Sequence, residues 1–304
     1  MNGAQGIRVS SMSYRLQKNL LGWLFVLPTF GFLSVFVIAS ICYVLYLSFF
    51  QWNLISPHPT FVGLKNYIDM VKDRDFQKAV IRTFFYMLGT TGITLPLALI
   101  FALLLNKPVR GIALLRGMIF VPYVIPAVSA AIAWGWLLEP HFGLVNYVLH
   151  LFGFSGYTWL SHPKSALISL IFIYVWQFSG YFTMLFLSGL QSIPESLYEA
   201  VKVDGGSWWA QFRHVTCPML SPTLFFTVTM SIIFSVQSFD QIFVLTNGGP
   251  ADSTTTIVFY LFKQGFQFFH IGNAAAISIL MLMFLFLVTY LQFRGSEKWV
   301  HHQM

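Results

Sequence analysis

The sequence predicts an all-α, polytopic membrane protein that crosses the bilayer six times. Apolar residues make up 57% of the chain and charged residues only 9%, against about 25% charged in soluble domains. Six uncharged windows, 20–50, 83–106, 117–138, 165–193, 214–239 and 264–293, could each cross a hydrocarbon core of about 30 Å, which takes roughly 20 helical residues. None shows strict alternation of apolar and polar residues. Helices that satisfy their own backbone are therefore expected rather than a barrel.

The first window is too long for the apolar core of a cleaved signal and is expected to stay as the first span, after a tail at 1–19. The formal charge of +7 is scattered among loops, so lipid headgroups account for it and nucleic acid is not expected as a partner. With six spans both termini share one side. Arg8, Arg15, Lys18, Lys107, Arg110, Arg116, Lys202, Arg213, Arg294 and Lys298 fall there; Lys65, Lys72, Arg74, Lys78, Arg82, Lys164 and Lys263 fall opposite, the first five mixed with Asp69, Asp73 and Asp75. The positive-inside rule then puts both termini, including the tail at 294–304, in the cytoplasm. Cys42 lies inside the first span and Cys217 near the cytoplasmic face, so no disulfide joins them.

After the first span, the loop at 51–82 carries turn signals at Ser56-Pro57-His58-Pro59 and an amphipathic stretch from Asn66, which predicts order rather than a linker. The second span ends at Asn106-Lys107-Pro108. The third contains Pro122 and Pro126, which free backbone carbonyls and kink a helix; it reads either as a pathway wall or as a bent packing helix. A second outer loop, 139–164, holds Gly143, Gly153, Gly156 and Trp159, and Thr246-Asn247-Gly248-Gly249-Pro250 marks a turn beyond Asp240. No internal repeat is evident, which argues against the build of many secondary transporters. There is no phosphate-binding loop, so any ATP hydrolysis must come from another subunit. The eight histidines are dispersed; His301-His302 reads as a solvated end, and no metal site is expected.

One segment, 192–218, is polar where its surroundings are not. Ser192 and Glu195 have the spacing of a capping box, and Pro194 fits a first helical turn. Leu197, Ala200 and Val201 share one face and Glu195, Glu199 and Lys202 another. Asp204-Gly205-Gly206 stops this helix, and Ser207 caps a second that runs from Trp208 to His214 and ends before Pro218. Such a knob could rest on headgroups or dock on a partner, and its nearly balanced charge weakens the case for headgroups.

The order Glu199-Ala200-Val201, three residues, Gly205, nine residues, Val215, one residue, Cys217-Pro218 resembles the EAA motif, E-A-A-x3-G-x9-I-x-L-P, of permease subunits in binding-protein-dependent ABC importers. The chain departs from it at Val201, Val215 and Cys217. Phe61-Val62-Gly63-Leu64-Lys65-Asn66-Tyr67, Val121-Pro122-Tyr123-Val124-Ile125-Pro126 and Phe239-Asp240 with the 246–250 turn are similar to the carbohydrate-uptake branch. The resemblance implies the type I ABC transmembrane domain over 83–293. It also implies a partnership with a second permease, two ATPases that bind the ATP and Mg, and an extracytoplasmic solute-binding protein. This chain would hold no cofactor and no catalytic residue.

The resemblance further implies that 192–218 couples to an ATPase through Glu199, Ala200, Asp204, Gly205 and Pro218. The alternative for Glu199 is a local pair with Lys202. Family sugar-site positions fall on Tyr123, Ala127, Trp176, Phe178, Tyr181, Ser231, Ser235 and Ser238; Tyr123, Trp176, Tyr181 and Ser231 match in type. Aromatic faces with a few hydroxyls suit a sugar or polyol. Ser231, Ser235 and Ser238 lie on one helical face, which fits a pore-lining stripe or a polar packing seam. Asp240 reads as an interfacial cap or a substrate contact. Two other classes compete. A proton-coupled carrier needs charged residues within its spans, which are nearly free of them. A lipid-modifying enzyme needs an interfacial cluster of His, Asp or Ser, and the sequence shows none.

Overall fold

The computed structural model describes residues 11–53, 56–107 and 109–296. Arg8, Lys298 and His301-His302 lie outside them, as does Pro108 of the basic turn. The first span comprises α1 (Ser11–Leu33), a π-helical turn (Ser34–Ile38) and α2 (Ala39–Ser48). A short antiparallel pair, β1 (Phe50–Gln51) and β2 (Thr60–Phe61), then sets Phe50 opposite Phe61. The amphipathic stretch from Asn66 is α3 (Lys65–Lys72). Its buried Asn66 explains the order of this loop: one side-chain amide donates to the Ser48 carbonyl at 2.8 Å and the Phe50 carbonyl at 2.9 Å. Tyr67 adds a hydroxyl bond to Ser48 Oγ at 2.6 Å. The end of α2 is thus capped by residues almost twenty positions later.

Helix α4 (Arg74–Leu105) starts well before the uncharged window, because Asp73 caps it by accepting the Asp75 backbone N–H at 2.8 Å. The third span is a right-angle break rather than a kink. Helix α5 (Ile112–Val124) and α6 (Ala127–Leu137) meet at 94°. Pro122 is absorbed within α5, whereas Pro126 forces Ile125 into an extended backbone (φ −67°, ψ 129°) and ends the helix. Among the described residues, five helices are long and apolar enough to span, or six if this broken pair counts as one.

Beyond the break, α7 (Leu144–Leu151) and the loop around it are organised by Asn146, which accepts the Trp159 indole N–H at 2.8 Å and donates to the Pro140 and Tyr157 carbonyls. Helix α8 (Pro163–Gln191) is the central strut, and its Leu170, Ile173, Tyr174, Phe182 and Phe186 are fully buried. Near one end lie α9 (Glu195–Val203), α10 (Trp208–Gln211), a π-helical turn (Phe212–Thr216) and α11 (Cys217–Met219). The fifth span is interrupted but not sharply bent: α12 (Ser221–Val236) gives way to α13 (Asp240–Leu245) within one 25-residue span. After the 246–256 turn, α14 (Ile257–Phe262) and a third π-helical turn lead into α15 (Ile271–Ser296), which starts later than its apolar window.

Packing follows from small and hydroxyl residues at the crossings. Ala98 and Ala102 of α4 are fully buried against Phe182 and Phe186 of α8. Buried Thr83 of α4 accepts the first backbone N–H of α14, from Ile257, at 2.8 Å. By contrast, none of the most apolar window within Gly22–Ser48 is buried inside the chain.

Candidate functional site

At the α8–α9 turn the expected capping box does not form. Ser192 closes α8, its Oγ donating to the Gly189 carbonyl at 2.7 Å, and Pro194 occupies the cap position of α9. Glu195 is therefore the first residue of the helix, too early to reach back as a capping partner. The apolar face is also rotated from expectation. Tyr198 and Val201 pack on Leu190, Ile193 and Val215, and Tyr198 Oη lies 3.1 Å from Thr216 Oγ1. Leu197 and Ala200 face outward.

Glu199, Ala200, Lys202 and Asp204 form an exposed surface, and Val203 is 88% exposed. Among the described residues the ion pairs are Lys78–Asp75 and Lys263–Asp252, so the local Glu199–Lys202 pair is not made. Gly205 takes a left-handed backbone (φ +75°), and the N–H groups of Gly205 and Gly206 return to the Lys202 and Val201 carbonyls at 3.0 and 2.8 Å. That closes α9 as a glycine-terminated helix does. Gly206 is held by contact instead: a Cβ there would strike the Val201 side chain.

Ser207 caps α10 as the sequence predicts, accepting the Ala210 N–H at 3.4 Å. The second helix does not stop before Pro218. It continues through the π-helical turn, and Pro218 sits in the first turn of α11. Pro218 thus lies inside a continuous helical run, directly after Cys217, whose N–H returns to the Phe212 carbonyl, and its missing N–H takes one bond out of the ladder.

The two broken spans meet around a cavity of about 570 Å³, walled by Tyr123, Phe178, Phe234 and Phe239 and lined by the amides of Gln177, Gln237 and Gln241. Of the residues the sequence singled out, Tyr123, Ala127, Phe178, Ser238 and Asp240 line it. The Tyr123 ring stacks on Tyr181 (centroids 4.6 Å, 25°) and meets Phe178 edge-on at 5.8 Å. Tyr181 thus backs the wall from outside. Trp176 stands outside the cavity, edge-on to Trp134 at 5.4 Å.

The serine stripe divides. Ser231 is fully buried and donates to Thr91 Oγ1 of α4 at 3.0 Å, while buried Ser235 donates to the Ile232 carbonyl at 2.9 Å. Ser231 thus belongs to the seam between α12 and α4, while Ser235 bonds back to its own helix. Only Ser238, beyond the end of α12, reaches the cavity, where its Oγ lies 3.2 Å from Tyr86 Oη. The glutamines were missed. For Gln177 and Gln237 the signal was present, since an amide inside an apolar window has to find a partner, whereas Gln241 lies just outside one.

Helices that break at facing positions around an amide-lined cavity, with an exposed helical knob near one end of the bundle, define a membrane permease. The chain belongs to the binding-protein-dependent transport system inner membrane component family, which it matches over residues 78–302. It is a transmembrane permease subunit of an ABC importer. It is similar to the trehalose/maltose transport system permease protein MalF of Thermococcus litoralis, with 33% identity across 93% of this chain and 96% of that protein. The lactose transport system permease protein LacF of Rhizobium radiobacter is 33% identical across 95% and 98%. Among solved structures, a bacterial alginate ABC transporter in complex with a periplasmic protein carrying an alginate pentasaccharide superimposes with a TM-score of 0.83, at 20% identity, covering 96% and 98% of the two chains.

Proposed function

We propose that this permease moves a neutral sugar or sugar-like polyol into the cell by alternating access. The observation that carries the substrate class is the cavity at the paired breaks: stacked aromatic rings beside uncharged amides and a hydroxyl, with Asp240 the one charged lining residue. A polyhydroxylated ring uses the aromatic faces for its C–H surface and the amides for its hydroxyls. Among the described residues Asp240 makes no ion pair, and an unpaired carboxylate disfavours an anion. The trehalose/maltose and lactose permeases among the relatives fit the same class.

In this reading a second permease completes the pathway, a solute-binding protein delivers cargo from outside, and two ATPases hold the ATP and Mg. The exposed face of α9 with Glu199 and Ala200 docks on one ATPase, and Gly205 lets the chain turn back. Both termini and α9 then lie in the cytoplasm.

The test is to purify the chain from its native membrane, identify what travels with it, and reconstitute the complex in vesicles. An ATPase should co-purify, and a neutral sugar or polyol should stimulate ATP hydrolysis. Uptake that survives vanadate but collapses with a protonophore would support the proton-coupled alternative instead.

A further inference from the structure

The two helix breaks are joined by a relay of buried amides. Gln177, halfway along α8, donates from Nε2 to the Ile125 carbonyl at the α5–α6 break, at 3.1 Å. Gln241, in the first turn of α13 beyond the other break, donates from Nε2 to Gln177 Oε1 at 2.6 Å. Both glutamines are 3% exposed.

The direction of the relay is forced. A carbonyl oxygen only accepts, so the Gln177 nitrogen must face Ile125, which turns the Gln177 oxygen toward Gln241. Gln241 must then present its nitrogen to Gln177, since reversing either amide would set oxygen against oxygen. The relay therefore ends on an acceptor, Gln241 Oε1. That atom is buried and has no hydrogen-bond partner among the described residues, and Gln241 is one of the residues lining the cavity. A buried acceptor of this kind is costly to leave unmet.

We propose that Gln241 is a specificity-determining residue whose side-chain oxygen receives one hydroxyl of the carried molecule, and that Gln177 is the positioning residue that aims it. This rests on the polyol reading of the cavity. Because Pro126 sets the break and the break sets the relay, the acceptor is fixed before cargo arrives. One hydroxyl position of the sugar is thereby selected, while the aromatic walls accept the ring with less discrimination.

The experiment uses the complete transporter in vesicles and a panel of neutral sugars and polyols, followed by every monodeoxy analogue of whichever is taken up. For the wild type, one analogue should lose about tenfold to a hundredfold in kcat/KM relative to its parent, the cost of leaving a buried acceptor unmet. In Gln241→Met that penalty should vanish: parent and analogue should be carried equally, both at the low rate. Gln241→Asn, which withdraws the oxygen, should narrow the same gap. The readout is a ratio within one variant, so differences in folded amount cancel. Gln177→Met should shrink the gap too, whereas a merely structural glutamine would lower both substrates and leave their ratio unchanged.

An unchanged ratio in both Gln241 variants overturns the inference while leaving the polyol reading intact, and is also the outcome expected if the second permease supplies the donor. A wild type that takes up no member of the panel overturns both.

Discussion

Gly180 of α8 lies directly against the carbonyl of Ile119 in α5, so close that a Cβ on Gly180 would overlap the oxygen and crowd the adjoining Phe120 backbone. The obstacle is backbone, which cannot swing aside. Gly180→Ala should therefore separate α5 from α8 at a cost of about 1–3 kcal/mol, the range for overpacking. Because Tyr123 rides on α5, the cavity wall moves with it. The expected result is a lower midpoint in detergent thermal unfolding together with impaired uptake.

Gly205→Val should behave differently. Space around Gly205 is open, but its φ of +75° costs a side-chain-bearing residue on the order of 1–2 kcal/mol locally. The chain should insert and assemble, while ATP hydrolysis no longer drives uptake. Parallel measurement of ATPase activity and transport in vesicles checks it, and normal uptake would sink the coupling role of this segment.

Tyr123 and Ser231 separate pathway from packing. Tyr123→Ala removes a cavity wall, so KM should rise, and it also removes the stack on Tyr181, an aromatic pair worth about 0.5–1.5 kcal/mol of stability. Ser231→Ala removes a buried bond to Thr91 and should cost about 1 kcal/mol of stability with KM unchanged. Uptake kinetics beside thermal unfolding distinguishes the two.

Asn66→Leu should loosen the loop between the first span and α3. Its side-chain amide serves the Ser48 and Phe50 carbonyls at once, and leaving both unmet should cost about 1–3 kcal/mol. Faster proteolysis within 51–64 in intact vesicles is the measurement.

Acid should weaken the 246–256 turn slightly. The Asp252 carboxyl sits below the usual carboxylate range because Lys263 donates to it, at 3.1 Å. A depressed folded pKa means that the stabilisation is present above the unfolded value of about 3.9 and is lost as pH falls through the lower folded value. Asp252 is largely exposed, so the effect should stay below about 1 kcal/mol. Asp252→Asn should abolish this acid dependence in unfolding scans below pH 5.

The sequence shows the spans because length and apolarity decide them, and it shows Gly205 and the Ser207 cap because both are local. Ser192 misleads for a reason of competition: a serine between two helices can close the first or open the second, and Gly189 wins. Ser231 and Ser235 do share a face, but periodicity cannot say whether that face meets α4 or the pathway. The break at Pro126 is foreshadowed as a kink, while its angle depends on how α6 packs against α13. The Gln177–Gln241 bond joins residues 64 positions apart and has no local signature.

The end of the first span is joined, backbone to backbone, to the start of α15. The apolar window of that span is unburied by the rest of the chain, and Gly272 near the start of α15 packs so closely on the Phe50 carbonyl, just beyond α2, that no Cβ would fit. The backbone N–H of Ile271 is bonded to the Trp52 carbonyl at 3.0 Å. A chain cut before residue 271 should therefore still insert its opening helix but lack the backbone partner that fixes the end of that helix against the bundle.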